Sequence, residues 1–249
     1  MINSGKLGAL ATLRNLRNMK ESGVPRATII KAISQVNSTM LTPLNFLAAL
    51  RYAPEYAAQL DDAMARCFAH YKIPGTTIVA IDVSGSMNHL RSAKGEFTGM
   101  DVAYALAALS THIFEDTILV FTAGNDHSYT GRHVVWTNSR GLGVFNDVEN
   151  VIRSVGGGGI FTYQLCEWLK SQGLSKDADR LVVISDSQDI DRHRGVMKKP
   201  DTRPYDTSYI IDISTNTHGI KTGNWTAEIN GWSDKLFHYI YAVEKGWKF

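Results

Sequence analysis

Three oxygen-bearing side chains follow an apolar segment of the chain at a close, regular spacing. Asp82, Ser84 and Ser86 occupy alternate positions directly after the β-branched run of residues 76–81. Because a carboxylate and two hydroxyls on one tight turn can converge, they offer three oxygen ligands to a hard cation, and glycine at position 85 permits such a turn. The pattern predicts a site for Mg²⁺, with Mn²⁺ or Ca²⁺ as alternatives. The structural alternative is a strand-ending turn with a helix N-cap.

A second carboxylate, Asp186, follows another apolar run, residues 181–185. Ligands of open parallel sheets bind at the carboxyl ends of the strands, so Asp186 could reach the same ion directly or through water. Two aspartates around Mg²⁺ could activate a water molecule for hydrolysis. No His or Lys is placed as a general base, however, and we expect a protein that is not an enzyme. The glycine run 156–159 is not followed by Gly-Lys-Ser/Thr, which argues against a nucleotide P-loop.

The elements that must position these residues change type near residue 75. Apolar residues recur at helical spacing before that point, and β-branched runs alternate with helical segments after it. We therefore predict an α/β fold, a mostly parallel sheet flanked by helices (Rossmann-like), preceded by a short all-α segment, with domains over 1–75 and 76–249. Helices are predicted over 6–20, 25–33, 43–50, 54–71, 100–114, 145–155, 162–172 and 233–244, and strands over 76–83, 117–122, 133–137, 181–185 and 209–213.

Composition excludes several classes of protein. No apolar run approaches the roughly 20 residues of a membrane-spanning helix, so no membrane partner is expected. The first 20 residues lack the pattern of a secretion signal. The two cysteines, Cys67 and Cys166, are far apart, which favours a reducing cytoplasm over a disulfide or zinc framework.

Positive charge is concentrated at the front of the chain. Nine basic and four acidic residues lie within 1–75, although the whole chain carries only +2. Arg14, Arg17 and Lys20 share one neighbourhood of the first predicted helix, opposite its leucines. They could contact RNA phosphates, or they could form an ordinary solvated helix face.

The metal pattern resembles that of the von Willebrand factor A family. The metal-ion-dependent adhesion site (MIDAS) of that family combines Asp-x-Ser-x-Ser with a distant Thr and a distant Asp, and Asp82 and Asp186 match its first and last members. The family's Thr follows a Gly-Gly pair and precedes a helix. Here the first hydroxyl after Gly158-Gly159 is Thr162, two positions late. The resemblance implies either a remodelled loop that brings Thr162 to the ion or a missing ligand, and we expect Thr162 to serve. It further implies an acidic partner residue that completes the coordination.

Seven charged residues form an insert after the apolar run that ends before Asp186. We expect them to form a mobile surface loop near the ion. They are Asp189, Asp191, Arg192, His193, Arg194, Lys198 and Lys199.

A longer resemblance covers nearly the whole chain. The segments LGALATLRNLRNM and TPLNFLAALRYA, followed by IVAIDVSGSM, look like the end of a TROVE module joined to its A domain, as in the Ro autoantigen family. The resemblance implies a noncatalytic ribonucleoprotein component that binds small noncoding Y-type RNA or misfolded RNA, with the metal-bearing A domain as a scaffold. The alternative is a metal-dependent protein-interaction module without RNA binding.

The chain departs from that family in its helical part. Only about 75 residues precede the A domain, whereas the family's ring of helical repeats needs several hundred. A fragment, one half of a split protein and a reduced relative all remain open. A protein that supplies the missing repeats is therefore an expected partner.

Overall fold

The computed structural model describes residues 7–89, 96–136, 140–193, 196–214, 224–233 and 235–247. Five short helices come first, joined by brief turns and one 3₁₀ turn at Pro54–Tyr56. An alternation of strands and helices follows. The helices are α1 (Ala9–Arg14), α2 (Leu16–Glu21), α3 (Arg26–Ser34), α4 (Pro43–Tyr52), α5 (Ala57–Phe68), α6 (Gly99–Ile113), α7 (Val148–Val155), α8 (Thr162–Ser171) and α9 (Leu236–Glu244).

A six-stranded sheet forms the centre of the molecule. Its strand order is β3-β2-β1-β4-β7-β8, and every neighbouring pair is parallel except β2 with β3. This confirms the predicted α/β fold with a mostly parallel sheet. The strands are β1 (Ile73–Asp82), β2 (Phe114–Asn125), β3 (Thr130–Trp136), β4 (Arg180–Ser185), β5 (Arg192–His193), β6 (Val196–Met197), β7 (Thr207–Asp212) and β8 (Ala227–Asn230), of which β5 and β6 pair separately as a small antiparallel ribbon.

The two faces of the sheet carry different layers. Because successive side chains of a strand point to opposite faces, Val79 and Ile81 of β1 join a large core that includes α6, α7, α9 and the first five helices. Ile78 and Ala80 join a smaller core formed mainly with α8. Burial on both faces explains why β1 and β4 are continuous apolar runs.

Helix α6 lies between the sheet and the first five helices. It packs on β1 and β2 on one side and on α4 and α5 on the other, and almost all of its residues are buried. A helix that is apolar all round suits this central position. Its start is fixed by a capping box in which the Thr98 hydroxyl accepts from the Asp101 N–H (3.2 Å) and Asp101 accepts from the Thr98 N–H (2.8 Å).

The C-terminal helix is tied to the sheet by a buried ion pair. Arg180 of β4 is 4% exposed. Its guanidinium donates to Glu244 of α9 over 2.6 Å and to the Thr77 hydroxyl of β1 over 2.6 Å. These contacts anchor α9 at the end of the sheet opposite Asp82.

The first helix differs from the prediction of one helix over 6–20. The helix is interrupted at Asn15, between α1 and α2. The Asn15 side-chain amide donates to the Ala11 carbonyl (2.8 Å) and so competes with the backbone hydrogen bonds of the helix. Leu13 and Leu16 are buried, whereas Leu10 is 37% exposed. The predicted apolar stripe is therefore only partly buried.

Two further features bear on the predictions. Strand β3 begins at Thr130 and is described as far as Trp136. Position 137 of the predicted strand lies outside the described residues. Among the described helices, none is long and apolar enough to cross a membrane.

Candidate metal centre at the carboxyl edge of the sheet

Asp82 lies at the carboxyl end of β1, between β2 and β4, and is fully buried. Each carboxylate oxygen has a donor. The Ser84 N–H donates to Oδ1 over 2.8 Å, and the Ser185 hydroxyl donates to Oδ2 over 2.7 Å. The chain therefore holds this carboxylate in one orientation at the edge where ligands of parallel sheets bind.

The turn after Asp82 brings the two predicted hydroxyls together. Ser84 Oγ and Ser86 Oγ lie 3.1 Å apart, with Ser84 buried and Ser86 half-buried. A short 3₁₀ turn, Gly85–Asn88, carries Ser86. It is anchored by the Met87 side chain, which is fully buried in the large core. The three side chains of the Asp-x-Ser-x-Ser pattern thus form one cluster.

The glycine run lies against this turn. The Gly85 N–H donates to the Gly158 carbonyl (3.2 Å), and the Gly158 N–H donates to the Gly124 carbonyl of β2 (2.9 Å). A Cβ added at Gly85 would lie 3.3 Å from the Gly157 carbonyl oxygen, and Gly157 itself has a φ of +65°. The close approach of these backbone segments leaves no room for side chains and so explains the glycines. It also brings the segment before α8 to the edge of the sheet that carries Asp82.

Thr162 is the first residue of α8 and follows directly from this loop. The residue is fully buried, yet its Oγ1 makes no hydrogen bond of normal geometry with any described residue. It faces Asp189, whose pKa burial raises to about 6 against the opposing effect of the Thr162 hydroxyl. Buried hydroxyls nearly always have a partner, and the Asp189 carboxylate is the group that interacts with this one.

Asp186 directly follows β4 and is 1% exposed. Its Oδ2 is buried and makes no hydrogen bond with any residue that the structure describes. Burial raises the pKa of Asp82 to about 7, and the negative charge of Asp186 adds to that increase. Two buried, mutually repelling carboxylates are costly without a compensating positive charge.

The structure therefore brings Asp82, Ser84, Ser86 and Asp186 to one edge of the sheet and places Thr162 at the start of α8, directly after the loop packed against that edge. Within the described ranges, no three His, Cys, Asp or Glu side chains form a metal-binding group. A cation here would depend on hydroxyl and water oxygens as well as on carboxylates. Such a donor set suits Mg²⁺.

The expectation of a mobile surface loop after Asp186 is wrong for Asp189 and Asp191, which are 7% and 1% exposed. Asp191 accepts from the backbone N–H of Gln164 in α8 (2.8 Å), and the Ile190 N–H donates to the Ile160 carbonyl (3.1 Å). The segment is pinned to the start of α8 by these bonds. The apolar Ile190 between the two aspartates is the feature of the sequence that could have indicated burial of this segment. Position 194 lies outside the described residues.

Sequence reasoning also missed Ser185, the residue that orients Asp82. Its hydroxyl accepts from the Ser187 N–H over 2.9 Å as well as donating to the carboxylate. A serine at the end of an apolar strand carries no distinctive signal of its own. Its role becomes visible only once β1 and β4 are known to be neighbours.

The three basic residues are all exposed, but their charges differ in availability. Lys20 forms an ion pair with Glu55, with 2.8 Å between Nζ and Oε1. Arg17 lies 3.8 Å from Glu21 and stacks over the Tyr52 ring at 5.3 Å. Arg14, on α1, has no ion pair with the residues the structure describes.

The comparisons with known proteins establish the class of fold. No family model and no curated protein matches this sequence. The structure is similar to the crystal structure of the Ro (RSR) protein of Deinococcus radiodurans, with a TM-score of 0.60 and 20% identity, over 97% of this chain and 53% of that one. At this identity the likeness shows a shared fold, an α/β sheet of the von Willebrand factor A type preceded by helices. The chain spans about half the length of that protein.

Proposed function

We propose that this chain is a noncatalytic, RNA-associated protein of the Ro type, with a divalent cation in its A-type domain. The observation that carries the proposal is that one fold likeness includes both the helical segment and the sheet domain, over 97% of the chain. In the sequence, the segments that resemble the end of a TROVE module come before the segment that resembles an A domain, which is the order in the Ro autoantigen family. The whole protein's partners would be small noncoding or misfolded RNA and a protein that supplies further helical repeats.

The metal part of the proposal is supported by the chemistry of the cluster at the sheet edge. Asp82, Ser84, Ser86, Thr162 and Asp186 would hold the ion, directly or through water. The Asp186 Oδ2 has no hydrogen-bond partner among the described residues and offers a free lone pair, and a cation would offset the cost of the buried carboxylates. When bound, the ion would provide an electrophilic centre for an acidic partner residue.

Calorimetric titration of the EDTA-treated chain with MgCl₂ and MnCl₂ tests the metal site. We expect one ion per chain and at least a tenfold weaker affinity in Asp82→Asn, since the first carboxylate ligand loses its charge. Asp177→Asn removes an exposed carboxylate of the same type and serves as the matched control. Equal affinities of the two variants, or no binding by the unmodified chain, would contradict the metal assignment.

The RNA part is supported by the exposed basic side chains of α1 and α2. Gel shifts with a structured small RNA and with a single-stranded-tailed RNA, at low and moderate salt, provide the test. We expect affinity to fall with salt and to fall about tenfold or more when Arg14, Arg17 and Lys20 become alanine. A control variant removes the same charge elsewhere through Lys176→Ala, Lys199→Ala and Arg203→Ala, all exposed positions.

A second candidate function is a metal-dependent protein-interaction module without RNA binding. The pairing of Lys20 with Glu55 and of Arg17 with Glu21 favours it, because those contacts reduce the free positive charge of the helical segment. Metal binding together with no RNA binding at low salt would support this alternative. Equal loss of RNA binding in both triple variants would mean that binding is nonspecific.

A further inference from the structure

One side chain near the start of α8 joins two loops at the carboxyl edge of the sheet. The Gln164 Oε1 accepts from the Gly131 N–H over 2.9 Å, and its Nε2 donates to the Tyr129 carbonyl over 3.2 Å. The same Nε2 donates to Asp191 Oδ1 over 3.3 Å. A carboxamide has two N–H donors and one acceptor oxygen, and each of these groups has a partner here. Gln164 therefore bonds at once to β3, to the turn before β3 and to the loop after β4.

The loop after β4, residues 186–191, depends on these bonds because it buries charge. Asp191 is buried, and its Oδ2 accepts from the Gln164 backbone N–H over 2.8 Å. The Asp191 N–H in turn donates to Asp189 Oδ1 over 2.8 Å. A buried carboxylate is costly unless it is hydrogen-bonded. The side chain of Gln164 thus helps to fix the loop whose first residue, Asp186, belongs to the proposed metal centre.

The turn between β2 and β3, residues 125–130, is held at both of its ends. At its start, the Gly159 N–H of the glycine run donates to Asp126 Oδ1 over 2.5 Å. At its end, the bond from α8 to the Tyr129 carbonyl holds a residue with a left-handed φ of 52°, which is uncommon outside glycine. Tyr129 is 59% exposed. The turn therefore presents an exposed aromatic ring on a backbone that α8 and the glycine run hold in place.

We infer that Gln164 is a positioning residue that couples the metal centre to the β2–β3 turn. The regulatory part rests on the proposed metal centre, whereas the structural link between the two loops requires no ion. Because β2 runs parallel to β1 beside it, the turn lies at the edge of the sheet that carries Asp82. An ion that restrains the loop after β4 also restrains Asp191, and Gln164 transmits this restraint to the turn. The cation thereby controls how Tyr129 is presented at the edge where the acidic residue of a partner would bind.

Hydrogen exchange of the full chain in EDTA, followed for single amides by NMR, tests the structural link without a cation. In Gln164→Ala the Gly131 and Asp191 amides should exchange about fivefold faster or more, since both segments lose a hydrogen bond. Gln172→Ala is the matched control, because Gln172 lies at the other end of α8 and its amide donates to the Ser171 hydroxyl over 3.4 Å. It should leave both exchange rates unchanged. Faster exchange at only one of the two amides in Gln164→Ala, or at neither, overturns the link.

Gln164→Glu keeps the test decisive if the alanine variant fails to fold. The glutamate retains an acceptor oxygen for the Gly131 N–H, but it loses the donor to Tyr129 and places a second carboxylate beside Asp191. The Asp191 amide should therefore exchange about fivefold faster or more, whereas the Gly131 amide should be affected much less. Equal acceleration of all amides in the chain would reflect a general loss of stability and would overturn the positioning role.

The coupling to the metal centre is tested by adding MgCl₂ to the same proteins, with calorimetry to measure Mg²⁺ binding. In the unmodified chain and in Gln172→Ala, Mg²⁺ should slow exchange of the Gly131 amide about fivefold, and in Gln164→Ala it should not. Mg²⁺ binding without this effect in the unmodified chain overturns the coupling, as does an equal effect in Gln164→Ala. No Mg²⁺ binding by the unmodified chain overturns the metal centre and its coupling, and the exchange rates in EDTA still decide whether Gln164 links the two loops.

Discussion

The Ser185 hydroxyl on β4 donates to Oδ2 of Asp82 on β1 over 2.7 Å. The same Ser185 oxygen accepts the N–H of Ser187, a residue with a left-handed φ of 62°. One side chain therefore orients the first carboxylate of the proposed metal centre and shapes the turn that carries the second. The relationship depends on β1 and β4 being adjacent parallel strands.

Ser185→Ala should destabilise the chain by about 1–3 kcal/mol, because it leaves a buried carboxylate oxygen without its donor. Urea denaturation in EDTA measures this change in the free energy of unfolding. Ser171→Ala removes a serine hydroxyl that donates to the Trp168 carbonyl at an exposed position and should cost less than about 0.5 kcal/mol. Equal losses in both variants would show that Ser185 has no special role.

Thr162→Val separates the metal role of Thr162 from a structural one. Because the replaced hydroxyl favours the charged form of the buried Asp189 carboxylate, the variant without cation should lose up to about 1 kcal/mol of stability. A saturating cation stabilises in proportion to its affinity, and the rise in Tm on adding MgCl₂ should therefore be smaller in Thr162→Val. The measurement is a thermal unfolding curve with and without Mg²⁺.

The matched control for that experiment is Thr202→Val. Thr202 is equally buried, but its hydroxyl donates to the Asn224 carbonyl over 2.7 Å. We expect Thr202→Val to be less stable than the unmodified chain at every Mg²⁺ concentration. The rise in its Tm on adding MgCl₂ should be the same as in the unmodified chain. If the rise in Tm on adding MgCl₂ is also unchanged in Thr162→Val, Thr162 is not a ligand of the ion.

The sequence was most informative where burial on both faces left a distinct signal. Strands β1 and β4 are continuous apolar runs that end in polar residues, so their positions and the edge that carries Asp82 and Asp186 could be predicted from composition alone. The edge strand β8, residues Ala227–Asn230, was missed. Its side chains alternate between half-buried and exposed, and a run of four residues with two apolar side chains is too short for that alternation to indicate a strand.

Burial of charge could not be predicted in the same way. Charged residues such as Asp189 and Asp191 are expected at the surface, because carboxylates are almost never fully buried without partners. Their partners include backbone N–H groups: Asp189 accepts from Asp191 and Asp191 accepts from Gln164, each over 2.8 Å. The bond from Gln164 depends on the position of α8 beside this segment, which no local pattern encodes.

Glu55→Gln tests whether the ion pair with Lys20 limits RNA binding. Removal of the carboxylate frees the ammonium group for a phosphate, so we expect about threefold tighter RNA binding and a steeper dependence of affinity on salt. Gel shifts at several salt concentrations measure both quantities. Glu228→Gln, at an exposed position of β8, makes the same change in net charge and is the control. Equal gains in the two variants would indicate a general charge effect only.

His133 predicts a specific dependence of stability on pH. Its Nδ1 lies 2.9 Å from the Thr122 hydroxyl, its ring packs 5.4 Å from the Trp168 ring centre, and burial lowers its pKa from 6.5 to about 4. Between pH 6.5 and 4 the unfolded chain therefore binds a proton that the folded chain does not. The contribution of His133 is fully present above pH 6.5 and decreases as the pH falls towards 4, by up to about 3 kcal/mol.

The measurement for His133 is the difference between two pH profiles. Urea denaturation of the unmodified chain and of His133→Gln at pH 7.0, 5.5 and 4.5 gives the free energy of unfolding at each pH. Because glutamine does not titrate, the unmodified chain should lose more stability than the variant as the pH falls from 7.0 to 4.5. Comparing the two chains removes the contributions of Asp82 and Asp189, whose raised pKa values act in the opposite direction over much of this range. Parallel profiles from pH 7.0 to 4.5 would show that His133 is protonated equally in the folded and unfolded states, and that the contact with Thr122 does not require the neutral ring.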